Sequence, residues 1–511
     1  MNRERNKFQS MQVISYYTGY IILVVATLML IPIITSICFR EWKSVIDFLI
    51  SGSISYSLGM LMVMFGIRVK REKYSIQWKH GFVIASLSWI LLMVLCAIPY
   101  VLSGHTASLL DGCFDVMSGF TTTGLALTKD LDHLSNGLNM WRHMLTFIGG
   151  QGMVVLAITF LAKELGGAYK MYVGEGKDIE LVPNIKGTTR YIWKISLIYL
   201  ILGTFILWII GMFIGLMPVS SFMHAFYIFS SSWSTGGFAP NTQNIMYYHS
   251  FLYETVAMIF FILGSLNFGL HYAVWQGKKS EIIKNIEVQS FAITSFVACV
   301  LLLDKLTKAN IYPDAVASFR RIIFNVLSAH TTTGVGSIYA RQFALEWGEF
   351  GVLVMTIAML IGGSACSTAG GFKGLRVGIV FKGLIMDIKK LFVTDRSINV
   401  YKYHHIKERI LEDGIIKSSS IIIFCYLITF FIGTLLGAYY GYPISDAAFE
   451  SASVTGNVGL TIGITSASMP VTMKVYYIIA MYLGRLEFLS VFALIGYIFG
   501  GVKKLCLKLK K

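Results

Sequence analysis

Charge is what this sequence has least of. Only 14% of its 511 residues are Asp, Glu, Lys or Arg, against about 25% in an ordinary soluble domain. Hydrophobic residues make up 55%, and mean hydropathy is +0.66. That combination excludes a soluble globular protein, a disordered chain and a coiled coil, and leaves a polytopic membrane protein. Cysteine is sparse as well. Cys38, Cys96, Cys113, Cys299, Cys366, Cys425 and Cys506 are scattered with no Cys-x-x-Cys, so neither a disulfide framework nor a zinc site is indicated. Paired carboxylates, His/Cys metal spacing and a nucleophile–base motif are missing too, which argues against an enzyme. Acidic residues are the scarcest charges, 27 against 43 Lys and Arg for a net charge of +16. In a soluble chain that excess would suggest nucleic acid; here its position along the chain decides its meaning.

What is abundant is long apolar runs. Crossing the hydrocarbon of a bilayer takes about 20 such residues, and the sequence predicts ten crossings, at 13–38, 48–67, 81–102, 141–162, 191–216, 255–275, 288–303, 350–388, 415–440 and 473–500, with 350–388 interrupted. The runs are continuous and rich in Leu, Ile and Met, which excludes the alternating segments of a membrane β-barrel. The first run is too long for the apolar region of a cleavable leader and is expected to be retained. With the N-terminus in the cytoplasm, the inner segments 1–12, 68–80, 163–190, 276–287, 389–414 and 501–511, with a few flanking residues, hold 29 of the 43 basic residues. The outer loops hold 10, and Lys373, Arg376, Lys382 and Arg485 fall within or at the end of spans. The asymmetry satisfies the positive-inside rule with both termini cytoplasmic. The excess of positive charge is therefore mostly an orientation signal, and no nucleic-acid partner is expected.

Four outer connections are too long and too apolar for simple loops. They contain Phe114-Asp-Val-Met-Ser118-Gly-Phe-Thr-Thr-Thr-Gly124-Leu, Tyr227-Ile-Phe-Ser-Ser231-Ser-Trp-Ser-Thr-Gly-Gly237-Phe, Phe324-Asn-Val-Leu-Ser328-Ala-His-Thr-Thr-Thr-Gly334-Val and Phe449-Glu-Ser-Ala-Ser453-Val-Thr-Gly-Asn-Val-Gly459-Leu. Aligned on Gly124, Gly237, Gly334 and Gly459, each has an aromatic ten positions earlier, a Ser six earlier and a bulky apolar residue one later. A short apolar segment precedes each glycine, at 107–120, 220–233, 314–330 and 444–455, too short to cross and suited to a half-helix that enters from outside and turns back. Non-helical backbone at membrane depth is tolerated where it lines a water-filled cavity. The expected organisation is all-α: an N-terminal helix pair (1–77), pore repeats at 78–165, 186–278, 284–392 (with a broken second helix) and 412–502, and a basic cytoplasmic tail (503–511).

A dehydrated cation needs oxygens, and four strands turning their carbonyls toward one axis supply them. Glycine permits the backbone angles this takes, and Thr or Ser adds hydroxyl oxygen. The candidate ion-binding residues are therefore Thr121, Thr122, Thr123 and Gly124; Ser234, Thr235, Gly236 and Gly237; Thr331, Thr332, Thr333 and Gly334; and Gly456, Asn457, Val458 and Gly459. Simple turns between spans are the alternative for any one motif. The run 350–388 carries a second feature, the stretch Gly362-Gly363-Ser364-Ala-Cys-Ser367-Thr368-Ala-Gly370-Gly371-Phe-Lys373-Gly374. So much glycine cannot hold a regular helix well. A phosphate-cradling loop needs a preceding strand and Gly-Lys-Ser/Thr, both absent. Close helix packing through small residues and an unwound, movable segment beneath the filter remain, and the intramembrane Lys373 favours the latter. Arg485, beside Glu487 in the last span, is either half of a local pair or a positive charge on the conduction path. His330 reads as a structural polar residue rather than a proton site. Asp111, Asp115, Asp446 and Glu450 either stabilise helix starts or attract cations.

These residues resemble the Trk/Ktr/HKT superfamily of potassium transporters over essentially the whole chain, and within it the TrkH/TrkG membrane subunits. The parts that carry the resemblance are Ser118 to Leu125, Ser234 to Phe238, Gly362 to Lys373 and Gly484 to Glu487. The resemblance implies K+ as the transported ion, with Gly124, Gly237, Gly334 and Gly459 as filter glycines selecting potassium. It implies an intramembrane gating loop at 362–374 and Arg485 as the pore-facing arginine. It also implies a homodimer in the bacterial inner membrane, bound to a cytosolic TrkA-like subunit that senses nucleotides, with no prosthetic group of its own. The basic segments 163–194, 389–417 and 501–511 are the candidate docking surfaces. A secondary transporter coupling K+ to H+ or Na+ is the alternative, for which Glu487 and Asp387 are almost the only intramembrane carboxylates.

Overall fold

The computed structural model describes residues 2–71, 76–128, 130–161, 168–175, 185–392 and 400–509. Parts of the docking segments expected at 163–194, 389–417 and 501–511 lie outside the described residues. Among those described, the chain is predominantly helical. Six helices are long and apolar enough to cross a membrane: Phe8–Cys38, Trp42–Ile67, Trp78–Ser103, Gly187–Phe213, Ile286–Lys308 and Asp413–Tyr439. Two further pairs reach that length only across a bend, Phe251–Ser265 with Phe268–Trp275 (100°) and Val471–Arg485 with Leu489–Phe499 (114°). The crossings expected at 141–162 and 350–388 each fall on two helices, Asn136–Gln151 with Met153–Leu161 and Gly348–Ile361 with Gly374–Lys390.

Between the long helices lie four short ones, Leu109–Phe120, Pro218–Trp233, Ala315–His330 and Ile444–Thr455. At 12 to 16 residues and 1.5 Å per residue they reach about 18–24 Å, short of the roughly 30 Å of hydrocarbon. Their starts are fixed locally. The Ser108 hydroxyl accepts from Asp111 N, the Asp314 carboxylate accepts from Ala317 N at 2.6 Å, and Pro218 occupies the first turn of the second helix. Ser, Asp and first-turn Pro suit helix starts because the first amides of a helix lack partners within it.

The N-terminal helices Asn2–Leu28 and Trp42–Arg71 pack at close range through small residues. A Cβ on Gly19 would fall 2.8 Å from Gly59 O, and one on Gly66 would fall 2.5 Å from Gln12 O. This is the close backbone approach that glycine allows between membrane helices. The pair is tied to the rest through Glu41, whose carboxylate accepts from Asn136 N at 2.8 Å and Gly137 N at 3.1 Å.

One element departs from the all-α expectation. Lys402–His405 and Lys407–Ile410 form an antiparallel hairpin, with Tyr403 facing Arg409 and His405 facing Lys407. Tyr403 and His405 are buried, while Lys402 is exposed and His404 only part-buried. That period of two is the strand pattern, hidden in the sequence within a basic segment that reads as a connection.

Candidate functional site

Each short helix ends in the same way. The amide of the residue before the aligned glycine bonds the carbonyl of the aligned serine: Thr123 N to Ser118 O (2.8 Å), Gly236 N to Ser231 O (2.7 Å), Thr333 N to Ser328 O (2.9 Å) and Val458 N to Ser453 O (2.8 Å). The preceding amide bonds three residues back: Thr122 to Gly119, Thr235 to Ser232, Thr332 to Ala329 and Asn457 to Val454. These paired bonds form a Schellman cap, which requires a left-handed residue just past the helix. That residue is Thr122 (φ 56°), Thr235 (51°), Thr332 (57°) or Asn457 (54°). Two residues on, Gly124, Gly237, Gly334 and Gly459 are left-handed again, at φ 88°, 69°, 75° and 98°.

The four loops meet in cyclic order. A Cβ on Gly124 would lie 2.6 Å from Gly236 O, and one on Gly237 would lie 2.5 Å from Thr333 O. On Gly334 it would collide with Val458 O, and on Gly459 with Thr123 O. Each glycine thus faces the carbonyl that precedes the glycine of the next loop, and the ring closes. The side chains of Thr121, Thr122, Thr123, Ser234, Thr235, Thr331, Thr332, Thr333 and Asn457 are fully buried. Their hydroxyls are engaged locally: Thr121 with Met117 O and Thr123, Ser234 with Ser230 O, and Thr331 with Leu327 O and Thr333. Asn457 takes the place of a threonine in the fourth loop, donating to Thr123 Oγ1 at 3.1 Å and to Met481 O at 2.9 Å. Gly456 lies against Met359 O.

The stretch 362–373 lies against this ring. Gly370 N donates to Thr332 Oγ1 at 2.7 Å, and Thr235 Oγ1 meets Thr368 Oγ1 at 3.2 Å. Thr122 Oγ1 reaches Thr368 O at 3.4 Å, and Gly370 abuts Gly456 O and Asn457. One short loop therefore touches the left-handed residue of all four loops. It is non-helical and folds on itself: Gly362 and Gly371 are left-handed, and a Cβ on Gly362 would collide with Gly370 O. Gly363 packs against Ala369, and the Ser367 hydroxyl donates to Ser364 O at 2.6 Å. The Lys373 ammonium donates to Ala369 O inside the loop.

Three helix interruptions surround this loop: two supply backbone acceptors to it or to the residue that holds it, and the third follows that residue. The bend between Ser265 and Phe268 leaves Gly264 O and Ser265 O to accept from the Thr368 hydroxyl (2.8 Å) and from Ser364 N (3.0 Å). The break at Gly152 follows Gly149 and Gly150, whose carbonyls accept from Arg485 at 2.6 and 3.0 Å. The 114° bend follows Arg485 itself, with Glu487 and Phe488 left-handed. The other Nη of Arg485 donates to Thr368 O at 2.6 Å. Arg485 is therefore bonded to the loop and to a neighbouring helix, and Glu487 pairs instead with Arg376.

Several residues here carry no signal in the sequence. Glu287, in a segment that reads as an inner connection, is buried and accepts from Ala365 N (2.6 Å), Asn267 Nδ2 (3.2 Å) and His405 Nε2 (3.1 Å). Asn267 also donates to Ala365 O at 2.7 Å. Glu175 caps the broken helix through Val154 N and Val155 N. Of the carboxylates singled out, Asp111 and Asp446 lie in first turns of short helices, and Asp111 also pairs with Lys474 at 2.6 Å. His330 is buried and shares a 2.6 Å hydrogen bond with Thr294.

The TrkH family model, described as "Cation transport protein", matches residues 60–292 and 317–496. The Trk system potassium uptake protein TrkG of Escherichia coli is 29% identical over 500 residues, spanning 96% of this chain and 98% of that one. An uncharacterized cation transporter of Methanocaldococcus jannaschii is 28% identical, spanning 95% of both chains. The crystal structure of the potassium transporter TrkH from Vibrio parahaemolyticus superposes with a TM-score of 0.79 at 23% identity, covering 94% of this chain and 98% of that chain. Four left-handed glycines, each facing the carbonyl before the next glycine inside a helical membrane protein, suit a cation pathway; by sequence the chain belongs to the TrkH family of cation transport proteins.

Proposed function

We propose that this chain is the potassium-conducting membrane subunit of a Trk-type uptake system. The ring of Gly124, Gly237, Gly334 and Gly459 is its filter, and 362–373 with Arg485 is its gate. The observation that carries this is the closed cycle in which each glycine abuts the preceding carbonyl of the next loop. With the hydroxyls of Thr121, Ser234 and Thr331 bonded to their own helices, backbone carbonyls are the oxygens left for K+. The negative ends of four helix dipoles converge on the same point and favour a cation there. The cation of Arg485, hydrogen-bonded to the loop directly beneath, opposes passage while it holds that position. In this reading the ten crossings form an N-terminal pair and four pore units, both termini face the cytoplasm of a bacterial inner membrane, two copies associate, and a cytosolic TrkA-like nucleotide-binding subunit acts on the gate.

Coupling to H+ or Na+ would need a buried carboxylate free to exchange a proton or bind sodium. Glu287, Glu450 and Asp115 are each bonded to backbone amides, which favours uncoupled conduction. The test is flux of K+, Rb+ and Na+ into liposomes holding the purified chain, with and without the cytosolic subunit and nucleotide. Rb+ and K+ entry well above Na+, indifferent to an imposed proton gradient, is expected. Flux that follows the proton or sodium gradient would sink the proposal in favour of a coupled transporter.

A further inference from the structure

In three of the four loops the position nine residues before the ring glycine is paired with the position three residues after it. In the first loop the carboxylate of Asp115 accepts from Leu127 N at 2.6 Å, from Thr128 N at 3.3 Å and from the Thr128 hydroxyl. In the third, Asn325 Oδ1 accepts from Ser337 N at 3.2 Å, and its Nδ2 donates to Ser337 Oγ at 2.9 Å. In the fourth, Glu450 Oε1 accepts from Ile462 N at 2.9 Å and Ile464 N at 3.2 Å, and the hydroxyls of Thr461 and Thr465 also bond this carboxylate. All three side chains are fully buried.

The second loop breaks the pattern at both positions at once. Nine before Gly237 stands Ile228, and three after it stands Pro240. Proline has no N–H to satisfy, so an apolar residue at the position equivalent to Asp115 leaves no amide of residue 240 unpaired. Elsewhere a buried amide without an acceptor would be costly. The exception thus follows the same rule as the other three: an acceptor stands nine before the glycine wherever a donor stands three after it.

Gly124, Gly334 and Gly459 are each in this way held between two fixed points. Behind it the Schellman cap ties the loop to its short helix; ahead of it the clamp ties the outgoing strand to an earlier turn of that same helix. We infer that Asp115, Asn325 and Glu450 are positioning residues that fix the ring carbonyls at a spacing that discriminates K+ from the smaller Na+, and that Pro240 removes the need for such an acceptor in the second loop. The inference rests on the filter reading given above.

The test is the K+/Na+ flux ratio of the full chain in liposomes. Asp115→Leu and Glu450→Leu remove the acceptor and are expected to lower the ratio by about tenfold, each leaving a buried amide unpaired beside the filter. Asp115→Asn and Glu450→Gln keep an acceptor oxygen and are expected to stay within about twofold of wild type. Pro240→Ala creates an amide with no acceptor nine residues before its glycine and is expected to lower the ratio, and adding Ile228→Asn, which supplies an acceptor at that position, is expected to restore it. Leu variants that fold and keep the wild-type ratio would overturn the inference. So would Asn and Gln variants that lose the ratio as fully as Leu, or a failure of Ile228→Asn to rescue Pro240→Ala. Should the Leu variants not fold, the second-loop pair decides alone. A wild type that passes Na+ as readily as K+ sinks the filter proposal itself, and the clamp inference with it.

Discussion

A threonine in left-handed backbone costs about 1–3 kcal/mol, yet Thr122, Thr235 and Thr332 all adopt it, and Asn457 does so in the fourth loop. The cap bonds to Gly119, Ser232, Ala329 and Val454 hold them there. Asparagine tolerates this region better than a β-branched residue, so the fourth loop's departure from Thr-Thr-Thr-Gly keeps the same backbone path. The ring glycines have no such latitude, because a side chain would enter the neighbouring carbonyl. Gly459→Ala adds a Cβ against Thr123 O at φ 98°; Rb+ uptake is expected to fall by about tenfold or more, the left-handed penalty alone being about 1–2 kcal/mol, and unchanged uptake with normal expression would refute the close approach. Arg485→Gln removes the charge while leaving amide donors for Thr368 O and Gly149 O; on the proposed reading of Arg485 as the barrier, flux without the cytosolic subunit is expected to rise several-fold, because the charge goes and the charge-assisted bonds, roughly twice as strong as neutral ones, go with it. The four glycines were legible because alignment exposes them and only glycine fits. The left-handed threonines were not, because their side chains argue against the conformation that the caps impose. The acceptor column nine residues earlier is visible as Asp115, Asn325 and Glu450, but Ile228 interrupts it, and only Pro240 three residues after Gly237 makes that interruption intelligible.

At the scale of elements, the interruption inside 350–388 was legible because its composition defeats a helix. The bends after Ser265 and Arg485 and the break at Gly152 were not, because their local signals, a capping Asn267 and the run Gly149-Gly150-Gln151-Gly152, sit inside otherwise continuous apolar runs, and the carbonyls beside them are satisfied by a loop or an arginine far away in sequence. Helix kinks need an identifiable cause, and here part of the cause is long-range. The hairpin at 402–410 was likewise hidden, and it matters because it reaches the loop. His405 bonds Glu287, Glu287 bonds Ala365 N, and His404 bonds Glu281 at 2.7 Å. One buried carboxylate thus links the hairpin to the stretch 362–373. Glu287→Ala is expected to destabilise the fold by about 1–3 kcal/mol, leaving the Ala365 amide unpaired, and to raise flux at rest; Glu287→Gln, which can still accept from Ala365 N, is expected to do less of both. Thermal unfolding in detergent and liposome flux on the same preparations measure the two effects, and a Glu287→Ala protein that is less stable but no leakier would separate the carboxylate from gating.

For the whole molecule, charge scarcity gave the membrane class, and the uneven placement of Lys and Arg gave an orientation that packing alone does not reveal, because a helical bundle is equally well packed either way up. The two faces differ in detail. The loop carrying Asp130 and His133 is exposed, with the His133 side chain 82% accessible, and it belongs to the side with few basic residues. Lys407, on the second strand of the hairpin, is exposed on the side with many. In a background with the native cysteines replaced, His133→Cys is expected to react with a membrane-impermeant maleimide in intact cells, and Lys407→Cys only after permeabilisation. Both positions are surface-exposed and outside the ring and the loop, so both variants are expected to fold and insert normally, and flux on the same cells shows whether Lys407, inside the candidate docking segment 389–417, also affects transport. The reverse labelling pattern would invert the orientation. It would place the hairpin and its Glu287 link on the outside, where no cytosolic subunit reaches them, and would leave the gate under the control of the outer face.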